Sequence, residues 1–138
     1  MKLILCTDIR GGMMFLNRRP ARDPAAIRDI LDEAQGKRLL ITPYSEKLFA
    51  ELGGEYIVTN NPLGEAKGDD LVFIEDLSAR GYLDKIDTII VYSWDLPYPF
   101  DKKFDISPED KGFGLIQVKD FTGQCHDTIT KSVYVRKK

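Results

Sequence analysis

Asp87-Thr88-Ile89-Ile90-Val91-Tyr92-Ser93-Trp94 is the stretch whose reading decides the fold. Ile89 to Tyr92 is an unbroken apolar run of strand-forming residues. Such a run suits a strand covered on both faces, the place of a central strand in an α/β sheet. Just before it, Leu71 to Ile74 reads as another strand, and Leu77 to Lys85 as a short helix capped by Asp76. Strand, helix and strand in succession imply a parallel pair joined by a crossover.

Further toward the N-terminus the alternation continues. Leu3 to Thr7, Arg38 to Thr42 and Glu55 to Thr59 are strands by composition. Between the first two, Asp23 is placed as an N-cap with Pro24 at the first helical position. Ile27, Ile30, Leu31 and Ala34 then follow the spacing of one buried helix face, and Gly36 ends it. Pro43 to Leu52 reads as a short helix with Thr42 as cap and Leu48, Phe49 and Leu52 inward; Gly53-Gly54 breaks it. Asp8 to Ala21 reads as irregular, and Asn60 to Asp70 as a loop or a turn of helix. Beyond Trp94, a loop carrying Pro97 and Pro99 leads to strands at Gly114 to Val118 and Thr128 to Val135. No helical segment follows residue 85, so these two are expected to close the sheet as an antiparallel pair.

The chain has 138 residues, which indicates one domain (1–138) able to bury a core without disulfides or metal. A net charge of −2 carries no electrostatic footprint for nucleic acid. Arg136-Lys137-Lys138 reads as a solvated tail. Cys6 and Cys125 lie far apart with no metal or disulfide spacing, which fits a reducing cytoplasm. His126 is the only histidine, so hydrolases built on clustered histidines are excluded and no metal is expected. The opening Met1 to Asp8 reads as a strand rather than a leader, and no run is long enough to span a membrane.

The layout resembles dihydrofolate reductase over nearly the whole chain. The strand ending in Thr7-Asp8, followed by Gly11-Gly12-Met13, is similar to that family's opening strand and mobile loop. Lys85 to Asp95, with Phe100-Asp101 and Phe104, looks like the family's fifth helix, strand and following loop. Phe121 to Val135, with the polar insert Gly123-Gln124-Cys125-His126, is similar to its closing hairpin. The resemblance implies a dihydrofolate-reductase-like three-layer α/β sandwich, its central sheet mainly parallel with an antiparallel C-terminal hairpin. It puts Asp23 where the family keeps its substrate-binding carboxylate. It also exposes departures. The family's cofactor arginine follows a glycine after the second strand; here those places are Thr42-Pro43, and only Ser45 stands near the expected threonine. The paired glycines of the later cofactor turn become Glu75-Asp76. A helix N-terminus favours an anion, and a carboxylate there repels it. Unit charges at about 4 Å repel by roughly 1 kcal/mol in water and about 4 at an effective dielectric of 20. NADPH binding in the family's manner is therefore not expected.

Several side chains remain as candidates. Asp23 reads as an N-cap and also as the catalytic carboxylate, binding an amidine-like ring or relaying a proton. Glu75-Asp76 reads as a cap, or as a site for a cationic ligand. His126 is a polar hairpin residue or a general acid–base group. Cys125 beside it would make a thiolate–imidazole pair only if the two shared a face, which neighbours on a strand do not. Arg18 and Arg19 are solvated or bind an anion. Tyr92, Trp94 and Tyr98 cluster at the carboxyl end of the central strand, where open α/β sheets bind ligands. The expected pocket is lined by Asp8, Met13, Asp23, Tyr92 and Trp94. The expected function is a non-NADPH domain of this fold that binds a small molecule or a protein. The alternative is an NADPH-dependent reductase of a pterin or similar heterocycle. A third reading is an interaction protein using the Pro97 to Phe100 loop.

Overall fold

The computed structural model describes residues 1–137. In chain order the elements are β1 (Lys2–Thr7), β2 (Gly12–Met14), α1 (Pro24–Glu33), β3 (Leu39–Ile41), α2 (Glu46–Ala50), β4 (Ile57–Val58), α3 (Pro62–Glu65), β5 (Leu71–Phe73), β6 (Thr88–Trp94), β7 (Lys102–Lys103), β8 (Phe113–Phe121) and β9 (Ile129–Arg136). One sheet runs in the order β4-β3-β5-β1-β6-β9-β8. Its strands from β4 to β6 are parallel. β9 runs antiparallel to β6, and β8 to β9. This is the mainly parallel α/β sheet with an antiparallel C-terminal hairpin that the sequence implied.

Alternation along the central strands builds two cores. Ile4, Ile90, Tyr92 and Trp94 face α1 and α2, where they meet Ile27, Ile30 and Phe49. Leu3, Leu5 and Ile89 face the opposite way and meet Met13, Met14, Ile86 and Phe113. Both faces of β1 and β6 are thus covered, which explains their unbroken apolar sequence. Asp23 caps α1 by accepting the Ala25 N–H at 2.9 Å. Gly36, at φ +79°, takes the left-handed conformation just beyond the helix. A charged cluster ties α1 to the sheet: Lys131 Nζ bridges Asp29 at 2.7 Å and Glu33 at 2.6 Å. The Tyr92 hydroxyl also donates to Asp29, at 2.5 Å.

Four local expectations are corrected. Leu77 to Lys85 is not a helix capped by Asp76: a 3-10 helix forms only over Arg80–Lys85, and the Ser78 hydroxyl accepts from the Arg80 N–H. Thr42 does not cap; a 3-10 turn at Pro43–Ser45 precedes α2, and the Thr42 hydroxyl donates to Ser45 instead. The stretch Asp8 to Ala21 holds β2, which pairs with β7 from a loop far along the chain. A 3-10 turn at Pro108–Lys111 does follow residue 85, and Gly112 at φ +87° ends it.

The Lys131 cluster gives a prediction about this packing. Lys131→Met keeps the bulk and leaves two carboxylates without their cation. It should lower unfolding free energy by about 1–3 kcal/mol. Tyr92→Phe should lower it by about 1 kcal/mol. Urea unfolding of both variants checks this, and a Lys131→Met protein as stable as the parent would refute the tie.

Candidate functional site

The carboxyl ends of β3, β5, β1 and β6 share one edge of the sheet, and the segment 8–23 passes over it. Three buried carboxylates organise that edge. Asp8, at the end of β1, accepts the N–H groups of Arg10 and Gly12, each at 2.8 Å, and that of Tyr98 at 3.0 Å. Burial works against its charged form, and the N–H donors outweigh this, so its carboxyl titrates below the usual aspartate range. The bonds clasp the first loop to the loop after β6.

Asp23 is more fully engaged. It accepts from the Ala25 and Gln124 N–H groups at 2.9 Å, from Cys125 at 2.7 Å and from His126 at 3.0 Å. His126 Nδ1 adds a fifth contact at 3.0 Å. Burial opposes the charge here too, and the backbone donors of Gln124, Ala25 and Cys125, with His126, lower the pKa. A Cβ on Gly123 would lie 2.4 Å from Asp23 Oδ2, so the insert needs glycine at that point. Asp23 is acceptor-only when ionised, so His126 Nδ1 carries the proton. In the neutral ring Nε2 then accepts from the Tyr98 hydroxyl at 2.9 Å. The imidazole also stacks on Trp94, with centroids 4.5 Å apart and planes 9° from parallel. No ring nitrogen is left for Cys125, whose residue is exposed.

Glu75 is the third carboxylate. Arg19 donates to it twice, through Nε at 2.6 Å and Nη2 at 2.8 Å. The Ser45 hydroxyl donates at 2.6 Å. The Arg19 guanidinium lies 4.3 Å above the Tyr44 ring and reaches the Tyr44 carbonyl at 3.1 Å. Asp76 next to it uses its carbonyl to hold Lys102 Nζ, at 2.9 Å.

A solved structure of dihydrofolate reductase from Enterococcus faecalis, complexed with NADP(H) and RAB-propyl, is similar over 100% of this chain and 97% of its own. The TM-score is 0.69 and the sequence identity 11%. This chain has the dihydrofolate reductase fold. No protein-family model matches the sequence, and no curated protein matches it. At that identity the likeness is one of fold.

Within this dihydrofolate reductase fold, the five residues expected to line a pocket do not form one. Tyr92 packs in the core on the α1 face and Met13 in the core on the other. Trp94 is covered by His126, and Asp8 and Asp23 are spent on backbone donors. Beside Asp23, Cys6, Glu75 and Trp94 only about 10 Å³ of space remains, room for one water at most. Burial pushes the Cys6 thiol pKa up, so that thiol stays protonated. A larger open space lies farther out, a cleft of about 580 Å³ between the 15–20 segment and Tyr98-Pro99. Among the described residues no three of His, Cys, Asp and Glu come together as metal ligands. No described helix is long and apolar enough to cross a membrane. The sequence singled out Arg19, Glu75, Asp23 and His126 one by one and paired none of them.

Asp23→Asn keeps the volume and forfeits acceptor capacity under five donors. It should destabilise by about 2–4 kcal/mol at neutral pH. A lowered carboxyl pKa contributes stability that is present above the ordinary aspartate range and is lost as pH falls through the lowered value. The parent should therefore hold its urea midpoint from pH 7 to about 4.5 and lose it below about 4. Asp23→Asn should show a shallower acid slope. A loss under about 0.5 kcal/mol, or an unchanged slope, would refute the hub.

Proposed function

We propose that this protein is a cytoplasmic small-molecule-binding domain of dihydrofolate reductase fold that does not use NADPH. The observation that supports this is the double hydrogen bond from Arg19 to Glu75 at the turn after β5. By the resemblance, that turn is where the family's glycines admit the cofactor's pyrophosphate. Here a buried carboxylate stands in it, already neutralised by the chain's own guanidinium and hydrogen-bonded by the Ser45 hydroxyl. A phosphate entering would compete for Arg19 and leave Glu75 buried without its partner, a loss of about 3–5 kcal/mol. Asp76 would add repulsion. The helix N-terminus that would stabilise the anion is also missing, since the 3-10 helix starts only at Arg80. After β3, Pro43 has no N–H to offer. The residues present do not fit the cofactor.

The alternative is an NADPH-dependent reductase of a pterin or similar heterocycle. What favours it is the full-length likeness to a reductase whose structure holds NADP(H). Its expected proton donor, Asp23, has both oxygens occupied by five donors, which favours the binding reading. A protein-binding role for the Pro97 to Phe100 loop has less support. Arg10 lies 4.9 Å from the centre of the Phe100 ring, and Asp8 holds the Tyr98 N–H, so two of its four residues are already engaged by this chain's own side chains.

Titration with NADPH, followed by melting temperature and nucleotide fluorescence, tests the reading. No shift at millimolar nucleotide is expected. Binding at 100 times the dissociation constant would stabilise by about 2.7 kcal/mol, and a saturable shift of that kind would overturn the proposal. Arg19→Leu should destabilise by about 2–4 kcal/mol by stranding Glu75. Arg19→Leu with Glu75→Gln should recover part of that loss. Equal stability of the two variants would mean the pair does not act as a unit.

A further inference from the structure

We propose that the cleft between the 15–20 segment and Tyr98-Pro99 is a binding site for a small flat aromatic anion. The inference rests on the reading of a non-NADPH binding domain, since it places the ligand outside the filled pocket. The cleft measures about 580 Å³, within the range of sites that take drug-sized molecules. Phe15, Leu16, Pro20, Tyr98 and Pro99 give it apolar walls, and both charged residues lining it are arginines.

The two arginines differ in what they have left to offer. Arg19 is bound to Glu75. Arg18 is exposed and forms no ion pair among the described residues. Its guanidinium is the cation available at the rim, and its planar fork suits a carboxylate or sulfonate.

The turn at the cleft points the same way. Phe15 and Arg18 exchange backbone hydrogen bonds at 2.8 and 3.0 Å. Leu16 at φ +50° and Asn17 at φ +61° are both left-handed, as a two-residue turn of this kind demands. Asparagine tolerates that conformation; leucine is strained in it. Leu16 is also 69% exposed, and Phe15 38%. Strain and apolar exposure meet at the same tip, and contact with an apolar ligand would use both.

The facing wall is rigid. Tyr98 is held through its hydroxyl by His126, through its N–H by Asp8 and through its carbonyl by Arg10 Nη2 at 2.6 Å. Two buried carboxylates, Asp23 behind His126 and Asp8 directly, therefore fix one tyrosine. A ring fixed in this way stacks against a flat ligand with little ordering loss.

The test uses naphthoate and the cation of the same ring, naphthylmethylammonium, with amide chemical-shift mapping by NMR. Naphthoate should shift residues 15–20 and 98–99 saturably and bind at least tenfold more tightly than the cation. Arg18→Glu, a change at an exposed side chain, should invert that preference. Absence of saturable shifts at millimolar naphthoate, shifts centred elsewhere, or a preference indifferent to Arg18→Glu would overturn the site. NADPH titrated in parallel separates the two readings. Saturable NADPH binding overturns the non-NADPH reading whatever naphthoate does. Silence from both molecules overturns the cleft alone.

Discussion

Of the three buried carboxylates at the edge of this sheet, Asp23 accepts the most hydrogen bonds. Asp23 stands at the start of α1, at the foot of the 123–126 insert and behind the His126 ring. A charge removed from water is tolerable only where donors replace the solvent. Here four backbone N–H groups and an imidazole replace it. The donors come from two segments about a hundred residues apart in sequence, so the carboxylate joins the first helix to the closing hairpin. Through His126 the same charge positions Tyr98, and through Tyr98 it meets the Asp8 clasp. An amide at residue 23 would offer one acceptor oxygen, and its NH₂ would face donors.

Open α/β sheets leave a crevice beyond the carboxyl ends of their strands, and that crevice is the usual ligand site. In this chain the crevice is filled from within. Glu75 and Arg19 occupy the end of β5, Asp8 closes the end of β1, and Trp94 with His126 closes the end of β6. Each of these groups would be a candidate for chemistry if it faced an open space. Each instead satisfies another part of the chain. Fold-level likeness thus carries less functional weight here than the local geometry does.

The sequence was most legible where structure is decided locally. β1 and β6 are short apolar runs buried on both faces, and the Asp23-Pro24 start of α1 is a cap specified by adjacent residues. It was less legible from Leu77 to Lys85. Apolar residues there suggested a helix, but Gly81 weakens it and the segment makes only 3-10 turns. The two-residue β7 and the three-residue β2 come from distant parts of the sequence, Gly12 pairing with Lys103, and strands so short leave no periodic trace. The expected pocket failed for a related reason. Tyr92 and Met13 belong to opposite faces of the sheet, and adjacency to the same strand end does not tell which face a loop residue will reach. Arg19 with Glu75 and Asp23 with His126 are long-range pairs, and nothing in the spacing of one member announces the other.

The filled crevice and the open cleft both follow from one ion pair. A carboxylate at residue 75, nearly excluded from solvent, needs a cation that can bond it twice, and Arg19 supplies both bonds. Arg19 can reach Glu75 only if its loop lies across the edge of the sheet. Its backbone N–H is held there by the Tyr44 hydroxyl at 3.0 Å, and its guanidinium by the Tyr44 ring. Drawing the loop inward at Arg19 leaves the Phe15-to-Arg18 turn standing outside it, opposite Tyr98. The ion pair that closes the inner site therefore also sets one wall of the outer cleft. The Asp23–His126–Tyr98 chain sets the other, so the shape of the cleft depends on charges that lie outside it.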